Sequence, residues 1–117
     1  MKDFLFLIFN ELNKKFYRQG TLIDAVEPTD FFTYWNIEQS NEYADNIPQR
    51  LKNVYQVYFY CKETCLLENP NYLEDGMNDF VTKARGYGLS VANVQDINTG
   101  LDGYIGMMCR VSYAQHE

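Results

Sequence analysis

The chain has 117 residues, of which 46% are hydrophobic and 22% charged. That is one domain's worth of chain, 1–117, with the composition of a folded protein rather than a disordered one. Ten Lys and Arg against sixteen Asp and Glu leave a formal net charge of −6, which argues against a surface built to grip phosphate backbones, and no Lys/Arg run supplies a local basic patch.

The longest apolar run, Phe4 to Phe9, has six residues, against about 20 needed to cross a bilayer. The mostly polar stretch 10–15 follows it at once and no small-residue cleavage site comes after, so a secretory leader is not expected either. The expectation is a chain that stays in the cytosol where it is made, with no membrane partner. Cys61, Cys65 and Cys109 are an odd set without the spacing of a disulfide framework, and they read as reduced thiols.

Along the chain, Asp3 to about Phe16 reads as a helix. Phe4, Ile8, Leu12 and Phe16 fall four apart, Leu5 and Phe9 widen the stripe, and Gly20 is the expected stop. Residues 21–30 read as an extended connection with a short strand at Leu22 to Ala25. Phe31 to Ile37, aromatic and β-branched, predicts a strand. Gln39 to Gln49 is polar and reads as a loop, longer than the usual connection. Val54 to Cys61 predicts the clearest strand.

Asn69 and Pro70 look like a helix start, with Asn at the N-cap and Pro in the first turn. Leu73, Met77, Phe80, Val81 and Ala84 then form a stripe at helical spacing, with acids toward the N-terminal end and Lys83 and Arg85 toward the other. Gly86 and Gly88 end it. Leu89 to Val94, a turn over 97–103, and Tyr104 to Tyr113 predict an antiparallel hairpin. The order helix, strand, strand, helix, strand, strand makes an α+β domain: two helices packed on a mainly antiparallel four- to five-stranded sheet.

Side chains alternate between the faces of a strand. Phe31, Thr33, Trp35 and Ile37 share one face, and Phe32, Tyr34 and Asn36 the other. Tyr55, Val57, Phe59 and Cys61 oppose Val54, Gln56, Tyr58 and Tyr60. Ile105, Met107, Cys109, Val111 and Tyr113 oppose Tyr104, Gly106, Met108, Arg110 and Ser112. Both faces are rich in aromatic and apolar residues, yet two helices on one side cover only one of them. The other face predicts either a partner or a loop, residues 39 to 50, folded back over it.

Little chemistry is visible. His116, the sole histidine, sits next to the C-terminus, a poor place for a dyad or triad. Cys61, Cys65, Cys109 and His116 lack the spacing of a zinc knuckle, and buried thiols are the simpler account. The stretch from Asp96 to Gly103 has the look of a calcium loop, but its sixth and twelfth positions are Leu101 and Met107 instead of Gly and Glu, so a hairpin turn fits better. Gly86-Tyr87-Gly88 follows no strand and is a helix stop, not a phosphate loop. No catalytic, cofactor-binding or metal-ligating residue is expected, and the chain does not read as an enzyme.

With these elements in place, the sequence resembles the tail terminator and tail-completion (head–tail joining) proteins of long-tailed bacteriophages and prophages. The resemblance rests on Phe4 to Phe16, the aromatic strand Phe31 to Ile37, the polar excursion Gln39 to Gln49, the strand Val54 to Cys61, the helix Pro70 to Arg85 and the hairpin Leu89 to Tyr113. It implies a structural virion component: a homo-hexamer ring at the head-proximal end of the tail tube, assembled in the host cytoplasm. There it ends tube growth and meets the tail tube protein and the head–tail connector protein. DNA passes through the lumen without specific binding, which suits an acidic chain. Tyr34, Tyr43, Arg50, Tyr58 and Tyr60 are the candidate assembly contacts.

Two other readings remain open at this point. A small ferredoxin-like ligand-binding or regulatory domain predicts a closed apolar pocket and a dimer. A cysteine enzyme predicts a thiol of depressed pKa.

Overall fold

A computed structural model of the chain describes residues 2–18, 29–36 and 54–113. The elements run α1 (Lys2–Glu11), β1 (Lys15–Arg18), β2 (Asp30–Asn36), β3 (Val54–Lys62), α2 (Cys65–Glu68), α3 (Tyr72–Gly86), β4 (Leu89–Ile97) and β5 (Tyr104–Tyr113). The protein is α+β, with one five-stranded sheet in the order β1-β2-β3-β5-β4.

The sheet is mixed. β2–β3, β3–β5 and β4–β5 pair antiparallel, whereas β1 pairs parallel to β2. The order of elements therefore differs from the expected one, by the strand β1 before β2 and by the short helix α2 before α3. Both additions follow from local backbone chemistry.

The first helix stops at Glu11 and does not run on to Phe16. Asn13 takes a left-handed φ of 61°. The Lys14 amide donates to the Phe9 carbonyl and the Asn13 amide to that of Asn10, which is the Schellman arrangement with Asn in the position usually held by Gly. The chain reverses there, and Lys15 to Arg18 pair with Phe31 to Tyr34. Phe16, which completes the helical spacing, is thus a strand residue. Its ring lies 4.9 Å from that of Phe6 and 5.0 Å from that of Phe9. The expected stop at Gly20 and the expected strand at Leu22 to Ala25 lie outside the described residues.

α3 starts at Tyr72, two residues later than Pro70, and Asn69 is not its N-cap. Asn69 instead accepts a 3.0 Å hydrogen bond from the Asn71 amide through its side chain, and its carbonyl takes the Tyr72 amide. A tight Asx turn thus links α2 to α3. Leu73, Met77, Phe80, Val81 and Ala84 are the buried face of α3, as their spacing predicts. Gly86 is still helical; Gly88, with φ +86°, makes the turn into β4.

The hairpin is longer than expected on its first arm, which runs to Ile97. β4 also carries a bulge. Ala92 stands opposite Arg110 and Gln95 opposite Met108, so Asn93 and Val94 face Cys109 alone. Asn93, at φ 58°, supplies the left-handed residue that such a bulge requires.

α1 and α3 lie on one face of the sheet. Leu5, Ile8 and Phe9 from α1 join the α3 stripe over Phe32, Tyr55, Val57, Phe59, Cys61, Cys109 and Val111. The Phe9, Phe32, Phe59 and Phe80 rings stack or tilt on one another at 4.7–5.7 Å. Aromatic pairs of this kind add to the apolar burial that drives the fold.

Candidate assembly surfaces

The face opposite the helices carries its own aromatic row. Phe31 of β2 sits edge-on to Tyr17 of β1, to Tyr60 of β3 and to Tyr104 of β5, at 4.9–5.7 Å. Tyr58 meets Tyr60 at 6.3 Å, and its hydroxyl donates to Gln56 at 2.9 Å. Tyr60 also covers Gly106, its partner across the β3–β5 ladder; a Cβ there would lie 3.1 Å from the Tyr60 ring.

This row is not an open patch. Phe31 is 1% exposed and Tyr60 6%, while Tyr17, Tyr58 and Tyr104 are half-buried. The structure thus brings Tyr58 and Tyr60 together but leaves little of Tyr60 for a partner. Burial also pushes the Tyr58 phenol above its ordinary pKa. Tyr34 lies on the other face, where its ring packs against Phe6 at 5.4 Å and toward Tyr55 at 6.4 Å. Tyr43 and Arg50, and the loop over 39–50, lie outside the described residues.

Among the described residues, the open aromatic surface is at one end of the sheet. Trp35 is 49% exposed, and with Arg18, Tyr34 and Asn36 it lines an open cleft of about 220 Å³. Parallel pairing of β1 with β2 makes this site, because it sets Arg18 directly beside Tyr34. Trp35 is not among the candidate contacts that the sequence offers, and Arg18 carries no signal as long as the segment before it reads as the end of a helix.

The opposite end of the sheet carries exposed acids and leucines, together with exposed Lys15 and half-buried Lys62. β3 runs out at Lys62, paired with Tyr104, and the chain turns through Glu63 into α2. The Glu63 amide donates to the Gly103 carbonyl at 2.9 Å, tying this turn to the β4–β5 turn. Leu67 is 83% exposed and Leu101 43%, flanked by exposed Glu63, Glu68 and Asp102. The β4–β5 turn is held by its own side chains. Asn98 accepts from the Gly100 amide at 3.1 Å, and Thr99 accepts from the Leu101 amide and donates to the Tyr104 carbonyl.

One polar cluster touches the core. Lys14 reaches Asp30 at 2.5 Å, and the Tyr72 hydroxyl donates to the same carboxylate oxygen. Burial, together with that carboxylate, pushes the Tyr72 phenol well above its ordinary range, so it stays protonated at neutral pH. The cluster joins the α1–β1 reversal to β2 and α3.

Two of the three thiols, Cys61 and Cys109, are buried. Burial is the main cause that pushes Cys61 up to about 12 and the sole cause that pushes Cys109 up to about 12. A thiolate nucleophile needs the opposite shift. Among the described residues no group of three or more His, Cys, Asp or Glu is placed to hold a metal ion, and no helix is long and apolar enough to cross a membrane. Comparison with protein-family models and with curated proteins finds no match.

Proposed function

We propose that the chain is a structural ring component that assembles from copies of itself, and specifically a tail terminator or tail-completion protein of a long-tailed phage or prophage. In this reading the ring works in the virion tail or neck, between tail tube and head connector. The observation that carries it is the half-exposed Trp35 beside Tyr34 and Arg18 at one end of the sheet. Trp, Tyr and Arg are the residue types that dominate interface hot spots, where a large side chain fills a neighbour's pocket.

Two further observations support it. The cleft at Trp35 is smaller than the roughly 300–1,000 Å³ of most small-molecule sites, which favours a side-chain knob over a ligand. The raised pKa values of Cys61 and Cys109 disfavour the cysteine enzyme. The phage assignment itself rests on the resemblance of the sequence segments given above, to which the structure adds β1 and α2.

The test is the absolute mass in solution, by light scattering after size exclusion over a wide concentration range. The expected result is a closed species of about six copies, as cyclic symmetry allows. A firm dimer overturns the ring and favours the regulatory-domain reading. A strict monomer at every concentration overturns a ring that forms unaided.

A further inference from the structure

The two exposed ends of the sheet have complementary chemistry. At one end Arg18 is exposed, and among the described residues no acid pairs with it; beside it are Tyr34, the half-exposed Trp35 and Asn36. At the other end Leu67 projects from a four-residue helix in which no residue is buried, with exposed Glu63 and Glu68 near it in sequence and exposed Leu101 and Asp102 in the β4–β5 turn to which Glu63 is hydrogen-bonded. The β3 ladder fixes the separation. Asn36 pairs with Tyr55 near its start, and Tyr104 pairs with Lys62 at its finish. β3 has nine residues, so at about 3.3 Å per residue the ends stand roughly 26 Å apart.

We infer that the two ends are the two halves of one interface: Leu67 of one copy seats in the Arg18–Trp35 cleft of the next, with Glu63, Glu68 or Asp102 facing Arg18. The occupant is a second copy of this chain, and three features single it out. An apolar knob beside an open aromatic cleft supplies the buried centre of a contact. Acids around the knob and a cation in the cleft fix the orientation and repel the reverse pairing of like ends. The Glu63–Gly103 hydrogen bond sets the knob on the sheet rather than on a loose loop. Because the two patches lie at opposite ends of one molecule, the contact is heterologous. It propagates head to tail, and it closes into a ring when the rotation per copy permits.

The other exposed apolar side chains do not compete. Leu7 on α1 and Val94 at the β4 bulge stand singly, which is ordinary for a protein surface. The Tyr17–Phe31–Tyr60–Tyr104 row is already largely buried within the chain.

This inference rests on the ring reading above, and one experiment separates the two. Trp35→Ala blocks the cleft end, and Leu67→Glu blocks the knob end. Light scattering then follows the wild type, each variant alone, and an equimolar mixture, with thermal melts as the check on folding. Both positions are solvent-exposed, so each variant should still unfold cooperatively, with a midpoint below the wild type only by the stability that assembly itself adds; if Trp35→Ala unfolds, Arg18→Glu at an exposed side chain takes its place. The expected result is a wild-type ring and about 30-fold or greater weakening in each variant alone. The mixture should give a species of two copies and no larger, because each pair then holds one intact interface and two blocked ends. Variants that keep the wild-type mass overturn the inference and leave the ring standing. Monomeric variants that stay monomeric when mixed also overturn it, because the two ends then do not meet each other. A wild type that never exceeds a dimer overturns the ring reading and the inference together.

Discussion

Lys14 and Asp30, sixteen residues apart in sequence, meet through Nζ and Oδ2 at 2.5 Å with only 26% and 14% of their side chains exposed. The same ammonium lies 5.5 Å from the centre of the Tyr72 ring and 5.8 Å from that of Phe59. One cation therefore ties the reversal after α1 to the start of β2, the start of α3 and the middle of β3.

Asp30→Ala should remove both the ion pair and the acceptor of the Tyr72 hydroxyl. It leaves a mostly buried ammonium and a half-buried phenol without their partner. The expected loss is about 1–3 kcal/mol, the range for stranding a buried polar group. Urea unfolding checks it. A midpoint unchanged from wild type would mean that solvent replaces the carboxylate and that the cluster contributes nothing to the fold.

Glu11 gives the acid side of the pH dependence. The Tyr87 hydroxyl donates to it at 2.6 Å and Lys83 lies 3.1 Å from it. The Tyr87 hydrogen bond and then Lys83 hold its carboxyl below the ordinary carboxylate range. A folded pKa below the unfolded one means that the contribution to stability is present above the unfolded pKa and is lost as pH falls through the folded one. A carboxyl NMR titration should place Glu11 below an unperturbed Glu. In Tyr87→Phe it should move up, yet stay below the ordinary value while Lys83 remains. A Glu11 that titrates normally in the wild type would remove the link between the ends of α1 and α3.

Much of this architecture was legible from periodicity, and the misses have physical reasons. The α3 stripe and the β5 strand follow from buried residues at the period of each element, Leu73, Met77, Phe80, Val81 and Ala84 in α3 and Cys109 and Val111 in β5. Phe16 misled because the chain after Asn13 folds back onto the same core. The residue four places after Leu12 is therefore apolar whether the backbone is helix or strand, and only Asn13 itself carried a stop signal. The Lys14–Asp30–Tyr72 cluster spans separations of 16 and 42 residues, which no local pattern encodes. The exposed Trp35 could not be told from a core aromatic either, because alternation assigns a residue to a face without saying how far along the strand the cover extends. The Arg18 half of the cleft needed the parallel pairing of β1.

The three thiols should separate cleanly on alkylation. Cys61 and Cys109 are fully buried, and burial pushes both thiols up to about 12. At pH 8 only about one part in ten thousand of each is thiolate. Cys65, at the start of α2, is partly exposed. Iodoacetamide on the native chain should therefore add one group, at Cys65, and three after unfolding in urea, as mass spectrometry reads directly. Rapid native labelling at Cys61 or Cys109 would show that the sheet opens readily and would reopen the case for a reactive thiol.

Gly76 lies in the middle of α3, where replacing Gly by Ala ordinarily stabilises an exposed helix by about 1 kcal/mol. Here a Cβ would fall 2.3 Å from Cε2 and 2.6 Å from Cζ of Phe59. That ring has no exposed surface to retreat into, and the Phe32 ring is packed 4.7 Å away. Overpacking a filled core costs about 1–3 kcal/mol, so set against the helix gain the clash should leave Gly76→Ala destabilising by up to about 2 kcal/mol. Gly86→Ala is the control. It sits in the last turn of the same helix with nothing within 4 Å of the added carbon, so it should be neutral or stabilising by up to about 1 kcal/mol. Urea midpoints that move in opposite directions support the close approach of α3 to β3. If both variants are stabilised, the Phe59 ring can yield, and α3 is not pinned to the sheet at that point.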